Sequence, residues 1–235
     1  MSVPAESIFF DLWSASYDRS ALQATTYRPV HDAVLGRLDD VDPSVVLDLG
    51  CGTGHLTTRL HERFPTASIV GADLSNGMLE RAAERLAEHD DEHAADGDAA
   101  HLARHDDGGE HLDGATSFVR SDAQQLPIAS GSVDVVVCTE SFHWYHDQEA
   151  AVAEVHRLLT PGGRFVIASI AAVTGFGDAA IERATAAAGR PVKAIPKRRL
   201  RALLESGGFD VRHQGRIPRL GFVPWPVLTD ATRTR

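Results

Sequence analysis

Cysteine, methionine and lysine each occur twice in this 235-residue chain. No apolar run approaches the roughly 18 residues that a membrane-spanning helix needs. The two cysteines, Cys51 and Cys138, cannot build the disulfide framework of a small secreted domain. They sit in a glycine-rich stretch and at the end of an apolar run, places that suit small buried side chains better than nucleophiles. No charged-then-apolar leader opens the sequence, so neither export nor membrane insertion is indicated and the cytoplasm is the default location. Aromatic residues make up only 6% of the chain, yet Phe9, Phe10, Trp13, Tyr17 and Tyr27 gather in the first 40 positions.

A basic, phosphate-tracking surface is also missing. The net charge is −10, and residues 88–114 hold ten acids against the single base Arg104, so the rest of the chain is nearly neutral. That balance argues against nucleic acid as a partner, although Arg198, Arg199 and Arg201 form one short basic cluster. The 43% hydrophobic content and the length fit one domain, residues 1–235, with a well-buried core.

What is present is concentrated in VVLDLGCGTG, residues 45–54. An apolar strand-like run ends in Asp48 and enters a loop with Gly50, Gly52 and Gly54 at alternate positions. Glycine admits sharp turns and close backbone approach, so the loop is expected to lie against a nucleotide-like ligand with its N–H groups exposed. A dinucleotide fingerprint would place its third glycine at position 55, where this chain has His55, and nothing in the loop asks for a pyrophosphate. A second acid, Asp73, closes the apolar segment ASIVGAD, where a strand-end carboxylate can accept from two ribose hydroxyls.

Further along come FVRSDAQQLPI with Asp122, the apolar run VDVVVC, the segment TESFHWYHD and finally LLTPGGRFVIAS. In this order and spacing, over roughly residues 8–233, the chain resembles class I S-adenosylmethionine (SAM) dependent methyltransferases of the small-molecule branch. The resemblance implies an α/β fold: a Rossmann-like, seven-stranded, mostly parallel sheet with helices on both faces and a C-terminal antiparallel hairpin strand. Apolar patterning agrees, with strands at 45–49, 68–72, 116–120, 133–138, 164–170, 209–217 and 226–233, and helices near 54–64, 76–88, 148–159 and 197–206. Residues 1–40 are expected to form a helical lid over cofactor and substrate, with ordinary sheet-packing helices as the alternative. The acidic, histidine-rich stretch 89–114 is expected to be a disordered loop, its histidines incidental rather than a metal site.

The resemblance also implies roles. SAM is the cofactor, leaving as S-adenosylhomocysteine (SAH). Asp48 and the Gly50 carbonyl would fix its ammonium, Gly52 and Gly54 would complete the loop beneath it, and Asp73 would hold the ribose. Leu74 would cover adenine, Asp122 would accept from its amine, and the Ala123 N–H would address a ring nitrogen. Tyr17 and Arg28 would approach the cofactor carboxylate. Methyl transfer is an in-line displacement that needs alignment, exclusion of water and, for a protonated nucleophile, a base. His143 is the leading base candidate, with Glu140, Tyr145 and His146 in reserve and a packing or substrate-orienting imidazole as the alternative. Glu149 reads as a first-turn acid of the helix that follows. The expected activity is methyl transfer to an O or N atom of a small-molecule metabolite or natural product. Competing readings are a nicotinamide enzyme, a SAM-binding partner subunit without turnover, and an enzyme acting on a macromolecule.

Overall fold

A computed structural model of the chain describes residues 21–95, 114–170, 194–218 and 226–234. Within them the elements run α1 (Ala21–Leu35), β1 (Val45–Leu49), α2 (His55–Arg63), β2 (Ser68–Asp73), α3 (Asn76–Ala95), β3 (Thr116–Arg120) and β4 (Val133–Thr139). A single 3-10 turn (Phe142–Trp144) follows, then α4 (Gln148–Leu158), β5 (Leu159–Ile170), α5 (Lys197–Ser206), β6 (Phe209–Arg216) and β7 (Pro226–Arg233).

The strands form one seven-stranded sheet in the order β3-β2-β1-β4-β5-β7-β6. β1 to β5 are parallel neighbours, whereas β7 lies antiparallel to both β5 and β6. The β1–β2–β3 and β1–β4–β5 halves diverge from the first strand, so the connections leaving the C-terminal ends of β1 and β4 open a crevice there, where ligands of open α/β sheets bind.

Alternation along the strands sends side chains to two cores. Leu47, Leu49, Val136, Cys138, Phe165 and Ile167 join Val152, Val155 and Leu158 of α4 and Leu200 and Leu204 of α5 on one face. Val46, Val135, Val137, Val166 and Ala168 join Val30 and Val34 of α1 and Leu56 and Leu60 of α2 on the other. A period of two in the strands and of 3.6 in the helices produces this two-sided burial. Asp147 caps α4 by accepting from the Ala150 N–H at 2.9 Å, and Glu149 stands exposed in its first turn. Toward the N-terminal edge of the sheet, buried Arg164 reaches both oxygens of buried Asp230 at 3.0 and 2.7 Å, both oxygens of Asp40 at 3.0 and 3.2 Å, and the Arg37 carbonyl at 2.9 Å.

Three expectations change. The helix placed at 76–88 continues to Ala95, so residues 89–95 are helical rather than loop. Composition hid the reason: His89 turns back onto α2, its Nε2 2.8 Å from Glu62 Oε1, and Asp90 Oδ1 lies 3.6 Å from His61 Nε2. Residues 96–113 lie outside the described residues. The lid expected over 1–40 does not extend to its second half, because Val30, Val34 and Leu38 are fully buried against the sheet; residues 1–20 lie outside the described residues. β5 begins at Leu159 rather than at 164: after Leu159 pairs with Val133 the chain bulges through residues 160–163 and rejoins β4 with Arg164 opposite Val135. Among the described residues no helix is long and apolar enough to cross a membrane.

Candidate functional site

The site is built where β1, β2 and β4 end. Asp48 belongs to β1 and is wholly sealed from solvent. Its Oδ2 accepts from Thr57 Oγ1 of α2 at 2.7 Å, while Oδ1 is buried and accepts no hydrogen bond among the described residues. Burial pushes this carboxyl up to about 7, opposed by the Thr57 hydroxyl and assisted by the nearby charge of Asp73. A buried acceptor left unmatched is costly, and a cation placed against it removes the cost.

The loop turns through three left-handed glycines, with φ of 74° at Gly50, 55° at Gly52 and 79° at Gly54. Two of them show why no other residue serves. A Cβ on Gly50 would lie 2.4 Å from Ser141 Oγ, whereas one on Gly52 would meet nothing within 4 Å and would stand in the open space above the loop. Gly54 is held by crowding instead, since a Cβ there would come within 2.8 Å of the Ala82 methyl of α3. The expectation of exposed loop N–H groups is corrected. Gly50 and Cys51 donate to the Ala72 carbonyl at 2.7 and 3.1 Å, Gly52 to Asp73 Oδ2 at 3.0 Å, and Gly54 to the Cys51 carbonyl at 3.1 Å. The neighbouring parallel strand supplies the acceptors for Gly50, Cys51 and Gly52, and the loop's own Cys51 carbonyl supplies that for Gly54, so these four N–H groups are not free for a phosphate.

Asp73 is half-buried at the end of β2. Its Oδ1 accepts from the Ser75 N–H at 2.9 Å and its Oδ2 from the Gly52 N–H at 3.0 Å, so the carboxylate is fixed at the strand end beside the loop. Leu74 follows, half-buried, its carbonyl held by Arg120 Nε at 3.0 Å. Asp122 is exposed beyond β3 and accepts from the Gln124 N–H at 2.9 Å in a side-chain turn, with buried Ala123 next to it. This turn is anchored from below by buried Glu154 of α4, which accepts from the Leu126 N–H at 2.7 Å and pairs with Arg157 at 2.7 Å. The Arg157 guanidinium holds the Glu154 carboxyl below its ordinary range.

The segment after β4 departs most from expectation. Glu140 has φ 53°, the one left-handed non-glycine among the described residues, at a cost on the order of 1 kcal/mol. Its N–H continues the sheet by donating to the Ala168 carbonyl at 2.7 Å. His143 is only 3% exposed, with Nδ1 3.2 Å from Ser169 Oγ and its ring 5.0 Å from that of Trp144. Burial lowers its pKa to about 4, so the imidazole is neutral at pH 7. That is the environment of a packed, orienting imidazole, the alternative weighed above. Tyr145 is half-buried and turned toward the loop, and His146 is exposed. Arg28 is exposed on α1, and Tyr17 lies outside the described residues. Burial also pushes the Cys138 thiol up to about 11 and the Cys51 thiol well above its ordinary value, which suits packing rather than nucleophilic roles.

The structure therefore brings Asp48, the glycine loop and Asp73 into one hydrogen-bonded unit and places Leu74, Asp122 and Ala123 along the ends of the adjacent strands. Four residues that the sequence did not single out hold this unit: Thr57 on Asp48, Arg85 with its Nε 2.9 Å from the Thr53 carbonyl, Arg120 on Leu74, and Glu154 under the 122–126 turn. Only the helical spacing of Thr57, nine residues after Asp48 and facing back along α2, was open to a sequence-level argument.

A family model described as a methyltransferase domain matches residues 47–167. The malonyl-[acyl-carrier protein] O-methyltransferase of Hahella chejuensis is 32% identical over 167 residues, covering 71% of this chain and 50% of that protein. The demethylmenaquinone methyltransferase of Thermus thermophilus is 36% identical over 125 residues, covering 53% of this chain and 46% of that protein. The matched region thus spans about half the length of these curated relatives. Among solved structures, the N-methyltransferase NodS from Bradyrhizobium japonicum, in complex with SAH, superposes with a TM-score of 0.70 at 17% identity, over 97% of this chain and 98% of that one. At that identity the likeness speaks for the fold.

Proposed function

This chain belongs to the methyltransferase domain family, whose cofactor is SAM, and from that premise we propose that it transfers the SAM methyl group to an O or N atom of a small-molecule metabolite or natural product. The observation that carries the reading is the buried, unmatched Oδ1 of Asp48, one strand away from the doubly supported carboxylate of Asp73. A cationic ammonium answers the first, and a carboxylate held at a strand end, as the second is, suits a vicinal diol.

SAM supplies a methyl carbon already activated by its sulfonium. The chain's own residues bind and align it. Asp48 and the Gly50 carbonyl would receive the ammonium, Gly52 would leave room for the methionine part, and Asp73 would accept from the ribose hydroxyls. Leu74 would pack on adenine, Asp122 would accept from its amine and the Ala123 N–H would donate to its ring, while Arg28 and Tyr17 would address the carboxylate. Alignment for in-line attack and exclusion of water are the protein's main contributions. His143, neutral and tied to Ser169, accepts or orients a substrate hydrogen bond. With its conjugate acid near 4 it is too weak a base for an un-ionised alcohol. We therefore favour an acceptor oxygen that is already ionised, such as a carboxylate, which needs no base. The 32% identity to an O-methyltransferase supports that choice. We further propose that the substrate is not a nucleic acid and that the protein works in the cytoplasm.

Calorimetric titration with SAM, SAH and NAD, on the wild type and on Asp73→Ala, tests the reading. Micromolar binding of SAM and SAH, weakened at least tenfold by the substitution and absent for NAD, is expected. Folded protein that binds neither SAM nor SAH overturns it. With binding established, SAH release in the presence of candidate carboxylic acids separates an enzyme from a binding subunit.

A further inference from the structure

Against Gly50, three polar side chains of the β4 end converge. Ser141 Oγ donates to the Leu49 carbonyl at 3.1 Å and Tyr145 OH to the same oxygen at 3.3 Å. The two hydroxyls are 3.1 Å apart, and Cys138 Sγ lies 3.1 Å from Ser141 Oγ and 3.5 Å from Tyr145 OH. Leu49 is the residue between Asp48 and Gly50. Its ladder to β2 continues, with Leu49 opposite Ala72, but pairing with β4 ends at Asp48 opposite Val137. Two side-chain hydroxyls thus take over where the β1–β4 backbone ladder stops. Contact is tight: only the absence of a Cβ at Gly50 lets Ser141 and Tyr145 approach, and the left-handed turn at Glu140 sets the chain direction just before Ser141.

We propose that Ser141 and Tyr145 are positioning residues that couple the 139–147 segment to the cofactor loop through the Leu49 carbonyl, so that occupancy of the loop fixes the segment that faces the methyl acceptor. The inference rests on the reading of the loop as a SAM site. Neither hydroxyl need touch the cofactor. Each holds the peptide that joins the ammonium-binding carboxylate to the ammonium-binding carbonyl, and each belongs to the segment carrying His143 and Trp144. A force on one side is transmitted by hydrogen bonds to a rigid strand end. The sequence intervals fit this role: positions 141 and 145 flank the 3-10 turn, so one tie is made at each end of it.

Hydrogen exchange of the peptide covering 139–147, with and without saturating SAH, reads the coupling directly. In the wild type SAH is expected to slow exchange there several-fold. In Tyr145→Phe and Ser141→Ala, SAH should bind about three- to tenfold more weakly, and at saturation should protect residues 50–54 but no longer 139–147. Ser141→Thr keeps the hydroxyl and is expected to restore protection. A purely structural role would lower the melting temperature and leave SAH-induced protection of 139–147 intact, and that result overturns the proposal, as does a wild type in which SAH leaves the segment unprotected. Failure of SAH to bind the wild type at all would instead strike the methyltransferase reading. Should Ser141→Ala not fold, Tyr145→Phe, which removes a single oxygen, decides alone.

Discussion

Asp230 and Asp48 are both carboxylates sealed inside the sheet, at 3% and 0% exposure, and their surroundings could hardly differ more. Asp230, toward the N-terminal edge, is gripped through both oxygens by Arg164, whose remaining donors go to Asp40 and Arg37. Asp48, toward the C-terminal edge, has one hydroxyl on one oxygen and, among the described residues, no hydrogen-bond partner on the other. One edge carries its counter-charge within the chain; at the other, the reading proposed above has a ligand supply it. On that proposal a buried carboxylate is a structural device in one place and a binding device in the other.

The contrast can be broken at the structural end. Arg164→Met strands Asp230 without its cation and should cost about 3–5 kcal/mol of unfolding free energy, read by denaturant titration. Arg164→Met combined with Asp230→Leu should recover most of it, since an apolar pair leaves no unmatched charge.

Buried histidines sharpen the comparison through pH. Burial, with help from the nearby Arg59 charge, lowers His31 to about 3, and burial alone lowers His143 to about 4, from 6.5. The unfolded chain takes up protons near 6.5 while the folded chain does not, so this stability is present above that value and is lost as pH falls toward 4 and then 3. Melting temperature should drop steadily between pH 6.5 and 4, by the equivalent of about 2–3 kcal/mol for His143, and His143→Gln should flatten part of that limb.

At the binding end the signs reverse. Asp48→Asn should weaken SAM binding by roughly ten- to a hundredfold, the worth of a charge-assisted contact, yet leave the ligand-free protein as stable or more so at pH 8. The folded pKa of about 7 lies above the unfolded 3.8, so the stabilising contribution of protonated Asp48 is full below 3.8 and lost as pH rises through 7. An ammonium favours the carboxylate, so SAM affinity should rise by up to about tenfold per pH unit below 7 and level off above it. Proton release near pH 7 in buffers of different ionisation enthalpy would report the same event. The smallest effect is expected where both partners meet water: Arg59→Ala breaks its pair with Asp32 and should change stability by about 0.2–1 kcal/mol, less in high salt.

Much of the architecture was legible because local chemistry and global packing agree. The strand ranges 45–49, 116–120 and 226–233 and the helix 197–206 stand as expected from apolar patterning, with Gly50 and Gly207 closing the first and the last. Asp48 and Asp73 were legible as strand-end carboxylates for the same reason. What escaped were features decided by distant partners. The last turns of α3 look unfoldable by composition and form because His89 and Asp90 meet Glu62 and His61. Pro-Gly-Gly at 161–163 forms a bulge, and the pairing of Leu159 with Val133 before it could be seen only once β4 was in place. His143 reads as a base candidate with a packing imidazole as the alternative, and only its neighbours in space, Ser169 from β5 included, show how deeply it is buried. The loop N–H groups were misjudged because the acceptors that consume them, Ala72 and Asp73, belong to the next strand.

The strand order carries a consequence for synthesis. β7 sits between β5 and β6 although the chain makes it after both, and Arg164 waits for an aspartate 66 positions downstream. On a translating ribosome, β5 and β6 therefore emerge with facing edges and no backbone partner between them, and the second half of the sheet closes only when Pro226–Arg233 threads into that gap. Until then two unpaired edges stand side by side, the arrangement most prone to pairing with another chain. A nascent or truncated chain lacking those eight residues is thus the species that a chaperone would have to shield.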